Sequence, residues 1–377
     1  MTTDKNVLPA ASMAHAPLHL LGDVAVLTTA LMNVESVSGN EGAIADLVEA
    51  ALWAIPGLVV HRDGDAIVAR TQLGRAERVI LAGHLDTVPL PTAAGSRGTV
   101  PAVWDGETIY GRGATDMKGG VAVQLAIAAR LAEPNRDITF IFYDHEEVEG
   151  SKSGLGRLQR NNPELLAGDF AILLEPTDGT VEGGCNGTSR FRVRTRGVAA
   201  HSARAWMGEN AIHKIAPILA RLAAHEPETV NVDGLDYRES LNAVSIHGGI
   251  AGNVIPDFCE VEVNYRFAPD KSVDQAEAYV RELLDGFEIE CTDGANGARP
   301  GLLHPAAASF VQAVGGIPKP KFGWTDVARF SALGIPAVNF GPGDALLAHS
   351  DNEHVQAQAI RDCLSALTRW LGGELGS

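Results

Sequence analysis

At 377 residues the chain is longer than one hydrophobic core comfortably supports, so two domains are expected. Its 45% hydrophobic and 20% charged content is that of a folded protein and argues against extended disorder. A net charge of -17 speaks against nucleic acid and anionic membranes as partners, because both repel an acidic surface, and leaves room for a small anionic substrate held by clustered arginines.

The four cysteines, Cys185, Cys259, Cys291 and Cys363, are scattered without the CxxC spacing of a zinc or redox pair and read as reduced thiols. Residues 1–17 lack a basic stretch followed by a sustained apolar core, and no run of about 18 apolar residues occurs. A cytoplasmic enzyme is expected, its leading segment a loose end before the first helix. Helical spacing of apolar residues then predicts helices over 20–34 and 42–55, the second opened by Ser38-Gly39-Asn40-Glu41 as a capping region. Strands follow at 59–62 and 66–71. The run Val79-Ile80-Leu81-Ala82 reads as a strand buried on both faces, stopping at Gly83-His84-Leu85-Asp86.

Residues 91–109 form a Pro/Gly-rich loop leading to Gly111-Arg112-Gly113-Ala114-Thr115-Asp116-Met117-Lys118-Gly119-Gly120. A helical pattern over 121–131 places Asp116 in a loop just before a helix, a position suited to function. The β-branched and aromatic segment 138–143 predicts a strand ending in Asp144-His145-Glu146-Glu147, and 170–174 a strand ending in Glu175-Pro176. After Gly183-Gly184 the pattern changes to period two, at 190–195 and 260–267, which suggests antiparallel strands with one wet face. With helical patterns at 211–224 and 273–284, this part resembles β-α-β-β-α-β. Asp293-Gly294-Ala295-Asn296-Gly297 reads as a hinge, after which α/β character returns at 335–340. The expected division is an α/β domain over 1–184 and 297–377, with a mostly parallel sheet between helices, and an inserted α+β, ferredoxin-like domain over 185–296.

Three buried strands thus end in metal-binding residue types. His84 and Asp86 are two apart, so on extended backbone they share a face, and one could bind a metal while the other orients a ligand. His84, Asp116, Glu147, Glu175 and His349 together offer two imidazoles and three carboxylates, a set that suits two divalent ions with one carboxylate bridging, about 3.5–4 Å apart. Zinc is the first expectation, since nitrogen and oxygen donors are mixed and no thiolate is offered. Taken singly, each residue also has a plain structural reading. His84 and Asp86 could exchange hydrogen bonds, the acidic run could start a helix, Glu175 could sit in a turn, and His349 in a surface loop. The plain readings do not explain why ligand types end three separate buried strands. Gly111-Arg112-Gly113 begins like a dinucleotide fingerprint, but Asp116 would put a carboxylate beside the pyrophosphate. No Gly-x-Ser-x-Gly elbow of a serine hydrolase occurs.

Gly83-His84-Leu85-Asp86-Thr87-Val88-Pro89, Gly111-Arg112-Gly113 with Asp116-Met117-Lys118-Gly119-Gly120, the Glu146-Glu147 pair, Glu175-Pro176 and the late His349 resemble the M20 family of dizinc amidohydrolases and peptidases, over nearly the whole chain. The resemblance implies a zinc-peptidase-like catalytic domain in which His84 and Glu175 hold one zinc, Glu147 and His349 the other, and Asp116 bridges them, with cobalt as the alternative metal. It makes Asp86 the residue that orients His84, and Glu146 the general base. Many relatives run Asp-Glu-Glu directly, whereas His145 here separates Asp144 from the glutamates. The inserted domain is implied to mediate a homodimer and to supply, from Gly197-Val198-Ala199-Ala200-His201-Ser202, a histidine for the oxyanion, His201, often across to the partner's site. Within the family, the segments around 197–214, 252–267 and 321–330 look most like the actinobacterial desuccinylase branch, which acts on an N-succinyl diamino dicarboxylic acid. Arg266, with Asn253 and Thr325, is then the candidate set for substrate carboxylates, and Arg190 a further candidate. Other deacylases of the family, acetylornithine deacetylase-like, and peptidases share the same metal site. A non-catalytic binding protein on this fold would be expected to have lost ligands or the base.

Overall fold

The computed structural model describes residues 16–372. The loose leading segment expected from the sequence falls largely on residues 1–15, outside the described residues. The chain divides into two compact units, the first comprising Met1–Val181, Leu303–Ile317 and Asn339–Ser377, the second Glu182–Leu302 and Pro318–Val338.

The first unit is built on five strands, β1 (Val59–Asp63), β2 (Ala66–Arg70), β3 (Arg78–His84), β4 (Asp137–Tyr143) and β5 (Phe170–Leu173), in the order β1-β2-β4-β3-β5. The pairs β1/β2 and β2/β4 are antiparallel, while β3 runs parallel to both β4 and β5. Strands β4 and β5 are buried along their whole length and β3 beyond its first residue, as their uninterrupted apolar runs require of strands covered on both faces. Helices α1 (Val24–Met32), α2 (Gly42–Trp53) and α3 (Lys118–Arg130) belong to this unit, and α3 is buried from Lys118 through Ala128. A Cβ at Gly120 would collide with the Leu174 carbonyl, so glycine is what lets the start of α3 settle against the end of β5. A late helix, Ala357–Trp370, packs on α1 and α3.

Two expectations for this unit change. The capping region before α2 does not cap it: Glu41 occupies the N-cap without a side-chain bond to the helix. The loop over 91–109 also contains short strands, Val103–Asp105 and Thr108–Tyr110, the latter paired with His354–Gln356.

The second unit holds a four-stranded antiparallel sheet of β6 (Gly187–Arg196), β7 (Ser240–Gly248), β8 (Phe258–Phe267) and β9 (Glu288–Ala295), in the order β7-β8-β6-β9. Helix α4 (Ala216–Ala224) precedes β7 and α5 (Val273–Leu283) follows β8, which is the expected β-α-β-β-α-β sequence. Alternation turns Phe191, Val193, Val261, Val263 and Tyr265 inward onto Ile218, Ala276 and Val280. A hairpin of Thr229–Val232 and Leu235–Arg238 was not legible in the sequence pattern. The hinge expected at 293–297 begins within β9, where Asp293 pairs with Arg190. Residues Pro318–Val338 group with this unit, whereas the pattern change near 297 assigns them to the first. Lys319 and Pro320 pair in parallel with Glu182 and Gly183, and Lys321 O accepts from Asn186 N. Among the described residues no helix is long and apolar enough to cross a membrane.

Candidate metal centre

In the first unit, His84 stands opposite Tyr143 across β3/β4 and Ala82 opposite Leu173 across β3/β5. Parallel pairing in this register carries three strand ends to one edge, where an open α/β sheet gathers its chemistry. His84, the turn 144–147 and Glu175 therefore become neighbours without any sequence spacing that says so. Asp116 enters from the loop before α3, and His349 from the returning chain.

His84 is 1% exposed. Its Nδ1 lies 3.0 Å from the Asp86 backbone carbonyl and 3.4 Å from the Asp86 carboxylate. A proton on Nδ1 donates to these acceptors, and Nε2 faces Asp116 Oδ1 at 3.0 Å, donating to it when the ring carries both protons and free to offer its lone pair to a cation when it carries one. The other oxygen of Asp116 is 3.3 Å from His349 Nε2, which is 2.9 Å from Glu147 Oε1. His84, Asp116 and Glu147 each offer one donor atom within 4.8 Å of the others. His349 adjoins that trio through Asp116 and Glu147, and its side chain is 49% exposed, so the cluster has one buried wall and one open side. Its φ of 62° is in the left-handed region, costly for a residue with a Cβ and typical of functional loops. Glu175, buried just beyond β5, is not part of the trio. Gly341 lies over it: a Cβ there would collide with the Leu174 and Glu175 carbonyls.

Charge is tightly compensated here. Burial favours a neutral His84, but the Asp116 and Asp86 carboxylates outweigh it and hold the imidazole well above its ordinary value. Hydrogen bonds to Asp116 and then Glu147 push His349 up to about 10. Asp116, although buried, is held far below the usual carboxylate range by His349 and His84. Burial raises Glu147, and the His349 bond only partly offsets it. For Asp86, burial is overcome by His84, Ser38 and the Glu146 amide, which bring the carboxyl down to about 2. Carboxylates that draw protons onto two imidazoles mark a place short of positive charge. A divalent cation meets that demand, and the mixed nitrogen and oxygen donors fit one.

Several residues outside the sequence-derived set shape this centre. Asp86 Oδ2 accepts from Ser38 Oγ at 2.6 Å, and its two oxygens accept from the amides of Glu146 and Glu147, both at 3.0 Å. Asp86 therefore holds the adjacent glutamates as well as His84. Glu353 Oε1 accepts from Thr115 N at 3.0 Å and Asp116 N at 3.1 Å, while its Oε2 pairs with buried Arg112 at 2.7 Å. Arg112 was visible in the glycine-flanked motif; nothing in the spacing singled out Glu353.

The remaining candidates belong to the second unit. His201 is exposed in the two-residue strand Ala200–His201, where its Nδ1 accepts from Ala203 N at 3.1 Å. The chain at Asn253 runs beside it, the Asn253 carbonyl accepting from Ser202 N. Arg266 on β8 donates from Nε to Asn264 Oδ1 at 3.2 Å, and burial followed by the nearby Arg190 lowers its pKa. Thr325 is buried, and its carbonyl accepts from Ala328 N and Cys185 Sγ.

Residues 80–372 match the model of peptidase family M20/M25/M40. A Mycobacterium tuberculosis protein named as succinyl-diaminopimelate desuccinylase is 51% identical over 359 residues, 94% of this chain and 100% of that one. The succinyl-diaminopimelate desuccinylase of Corynebacterium glutamicum is 46% identical, over 94% of this chain and 97% of its own. Among solved structures, an M20 metallo-carboxypeptidase of Sulfolobus solfataricus superposes with a TM-score of 0.75 at 15% identity, over 93% of this chain and 98% of that one. A Staphylococcus aureus tripeptidase does so with 0.74 at 21%, over 93% and 97%. At that identity the last two speak for the fold alone. With the family match spanning most of the chain and relatives near half identity over almost all of it, the protein belongs to peptidase family M20/M25/M40.

Proposed function

We propose that the protein hydrolyses the amide of N-succinyl-LL-2,6-diaminopimelate, releasing succinate and LL-2,6-diaminopimelate for lysine and peptidoglycan synthesis. The observation that carries hydrolysis is the Asp116 carboxylate, each oxygen turned to a different imidazole with Glu147 alongside. The near-half identity to named desuccinylases over almost their whole length supports the substrate.

In this reading His84 and Glu175 would hold one divalent ion and Glu147 and His349 the other, with Asp116 shared between them. Bound there, such ions polarise the amide carbonyl and acidify water. Asp86 fixes the His84 tautomer. Glu146, its amide pinned by Asp86, takes the proton from the attacking water and passes it to the departing amine. His201 donates to the developing oxyanion, consistent with an exposed ring whose Nδ1 is already engaged. Arg266, Asn253 and Thr325 receive the substrate carboxylates. Support for Arg266 comes from its register: it stands opposite Thr188 on β6 and Ser240 on β7, so no carboxylate stands directly opposite it in either pairing. Zinc is the expected metal, with cobalt able to replace it. Four free cysteines agree with a reducing cytoplasm. A homodimer is expected through β7, an edge strand exposing Val244 and Ile246, and light scattering should return twice the 39.7 kDa chain mass.

The test is kcat/KM for N-succinyl-LL-2,6-diaminopimelate against N-acetylornithine, with and without a chelator. The expected result is strong preference for the succinylated substrate, lost on chelation and restored by zinc or cobalt. Preference for N-acetylornithine would move the protein to another deacylase branch. Chelator-resistant cleavage would end the metal reading.

A further inference from the structure

The turn that follows β4 carries both Glu146 and Glu147, and it contains a residue that the mechanism above leaves unused. His145 has a φ of 57°. Left-handed backbone is uncommon for any residue with a Cβ, although histidine is found there more often than most. Three consecutive amides, of residues 145, 146 and 147, meet buried carboxylates. Glu41 Oε1 accepts from His145 N at 3.2 Å, and Asp86 Oδ1 and Oδ2 accept from Glu146 N and Glu147 N. Glu41 is 1% exposed and is anchored through its other oxygen by Gly39 N at 2.9 Å. The turn is an anion-binding nest filled by the protein's own side chains.

The imidazole of His145 closes the arrangement. Its Nδ1 is hydrogen-bonded to Asp144 Oδ2 at 2.7 Å and lies 3.4 Å from Glu41 Oε1, so the ring ties the residue before the turn to the carboxylate that receives the turn's first amide. Asp144 is itself immobilised. Arg157 grips both of its oxygens, at 2.7 and 3.1 Å, and continues to Asp63. The Asp144 carbonyl accepts from Gly154 N, where a Cβ would strike the Asp144 carboxylate.

We infer that His145 is a positioning residue for the amide hydrolysis: through Asp144 and Glu41 its ring holds the turn that aims Glu146 and Glu147. This rests on the proposed roles of those two glutamates. It gives a task to the histidine that separates Asp144 from the adjacent pair.

Three substitutions separate the ring's bond from the backbone conformation. His145→Ala removes the ring and keeps the strain, His145→Gly removes the ring and relieves it, and His145→Asn accepts left-handed backbone while presenting an amide donor. In the alanine and glycine proteins kcat should fall about ten- to hundred-fold with KM within about three-fold, and zinc affinity, titrated against a chromophoric chelator, should fall by a similar factor. Asparagine should recover much of both. Wild-type kcat and zinc affinity in either the alanine or the glycine protein overturns the inference, as does an asparagine protein no better than alanine. If the alanine protein fails to fold, Glu41→Gln, which keeps the shape, should show the same losses, and wild-type kcat and zinc affinity there overturn the inference equally. A parallel Glu146→Gln protein keeps the two readings distinguishable. Near-normal turnover there moves the base elsewhere, while the zinc affinities at position 145 still decide this proposal.

Discussion

The strand ends of the first unit and the outer face of the four-stranded sheet in the second are both crowded with charge, but they arrange it differently. On the sheet face, Arg192 and Arg194 of β6 stand opposite Glu262 and Glu260 of β8 and opposite Glu290 and Glu288 of β9. These are exposed or half-exposed cross-strand pairs, which water screens and which contribute little individually. At the strand ends, His84 and Asp86 are almost completely buried, and each charge depends on a specific partner. Exposed charges are settled by register and solvent, whereas buried ones are settled by a closed set of neighbours and fail together when one is removed. Arg266 lies between these cases: it shares the sheet face but stands opposite Thr188 on β6 and Ser240 on β7.

The largest effect should come from the strand-end set. Glu146→Gln should lower kcat by about 10²- to 10⁴-fold, with zinc content by elemental analysis unchanged. Near-normal turnover would move proton transfer to another group. Next, Arg266→Ala should raise KM for the succinylated substrate about ten- to hundred-fold with a smaller change in kcat, the loss expected of a charge-assisted hydrogen bond. Arg192→Ala, on the neutralised end of the same face, should change KM by less than about two-fold. Equal effects of the two would remove the distinction between arginines that face a carboxylate across the sheet and those that do not.

The smallest effect tests a buried carboxylate with a purely structural task. Asp137 is 4% exposed and accepts from Leu73 N, Arg75 N and Thr71 Oγ1 at 2.7 to 2.9 Å. Burial acts to raise its pKa, but these donors prevail and lower it. A folded pKa below the unfolded one means that the unfolded chain takes up the proton first. The stabilisation is therefore present above the ordinary carboxylate value and is lost as pH falls through the lowered one. Asp137→Asn should destabilise by about 1–3 kcal/mol in urea at neutral pH, with kcat/KM unchanged. The gap to wild type should narrow below about pH 4, the ordinary carboxylate range. A gap that stays constant with pH would mean the carboxylate charge is not what holds the 71–75 loop.

Much of the first unit was legible because its strands are short apolar runs that stop abruptly. Val79-Ile80-Leu81-Ala82 could be little other than a buried strand, and the alternation of 260–267 little other than a strand with one wet face. The ligand types at the strand ends could be read for the same reason. Residues whose partners are remote in sequence could not. Ser38 looked like part of a helix cap, yet its hydroxyl goes to Asp86, 48 residues away. Glu353 supports the Asp116 amide across 237 residues. The 318–338 segment has ordinary loop and helix composition, and only its pairing beside Glu182 and Gly183 assigns it to the second unit.

By itself, the sequence determined most of the long strands and helices, which residue types stand at their ends, and the family to which those motifs point. Periodicity and composition are local, and they act through the same backbone sterics and burial preferences in any context. The tertiary structure decided the meeting of those ends. Parallel register brings His84 beside the 144–147 turn, the two oxygens of Asp116 face different imidazoles, and Asp86, expected to aim one histidine, also receives the amides of Glu146 and Glu147. Buried charges find partners by proximity in the fold, and proximity between residues far apart in the chain is not written in any one stretch of it.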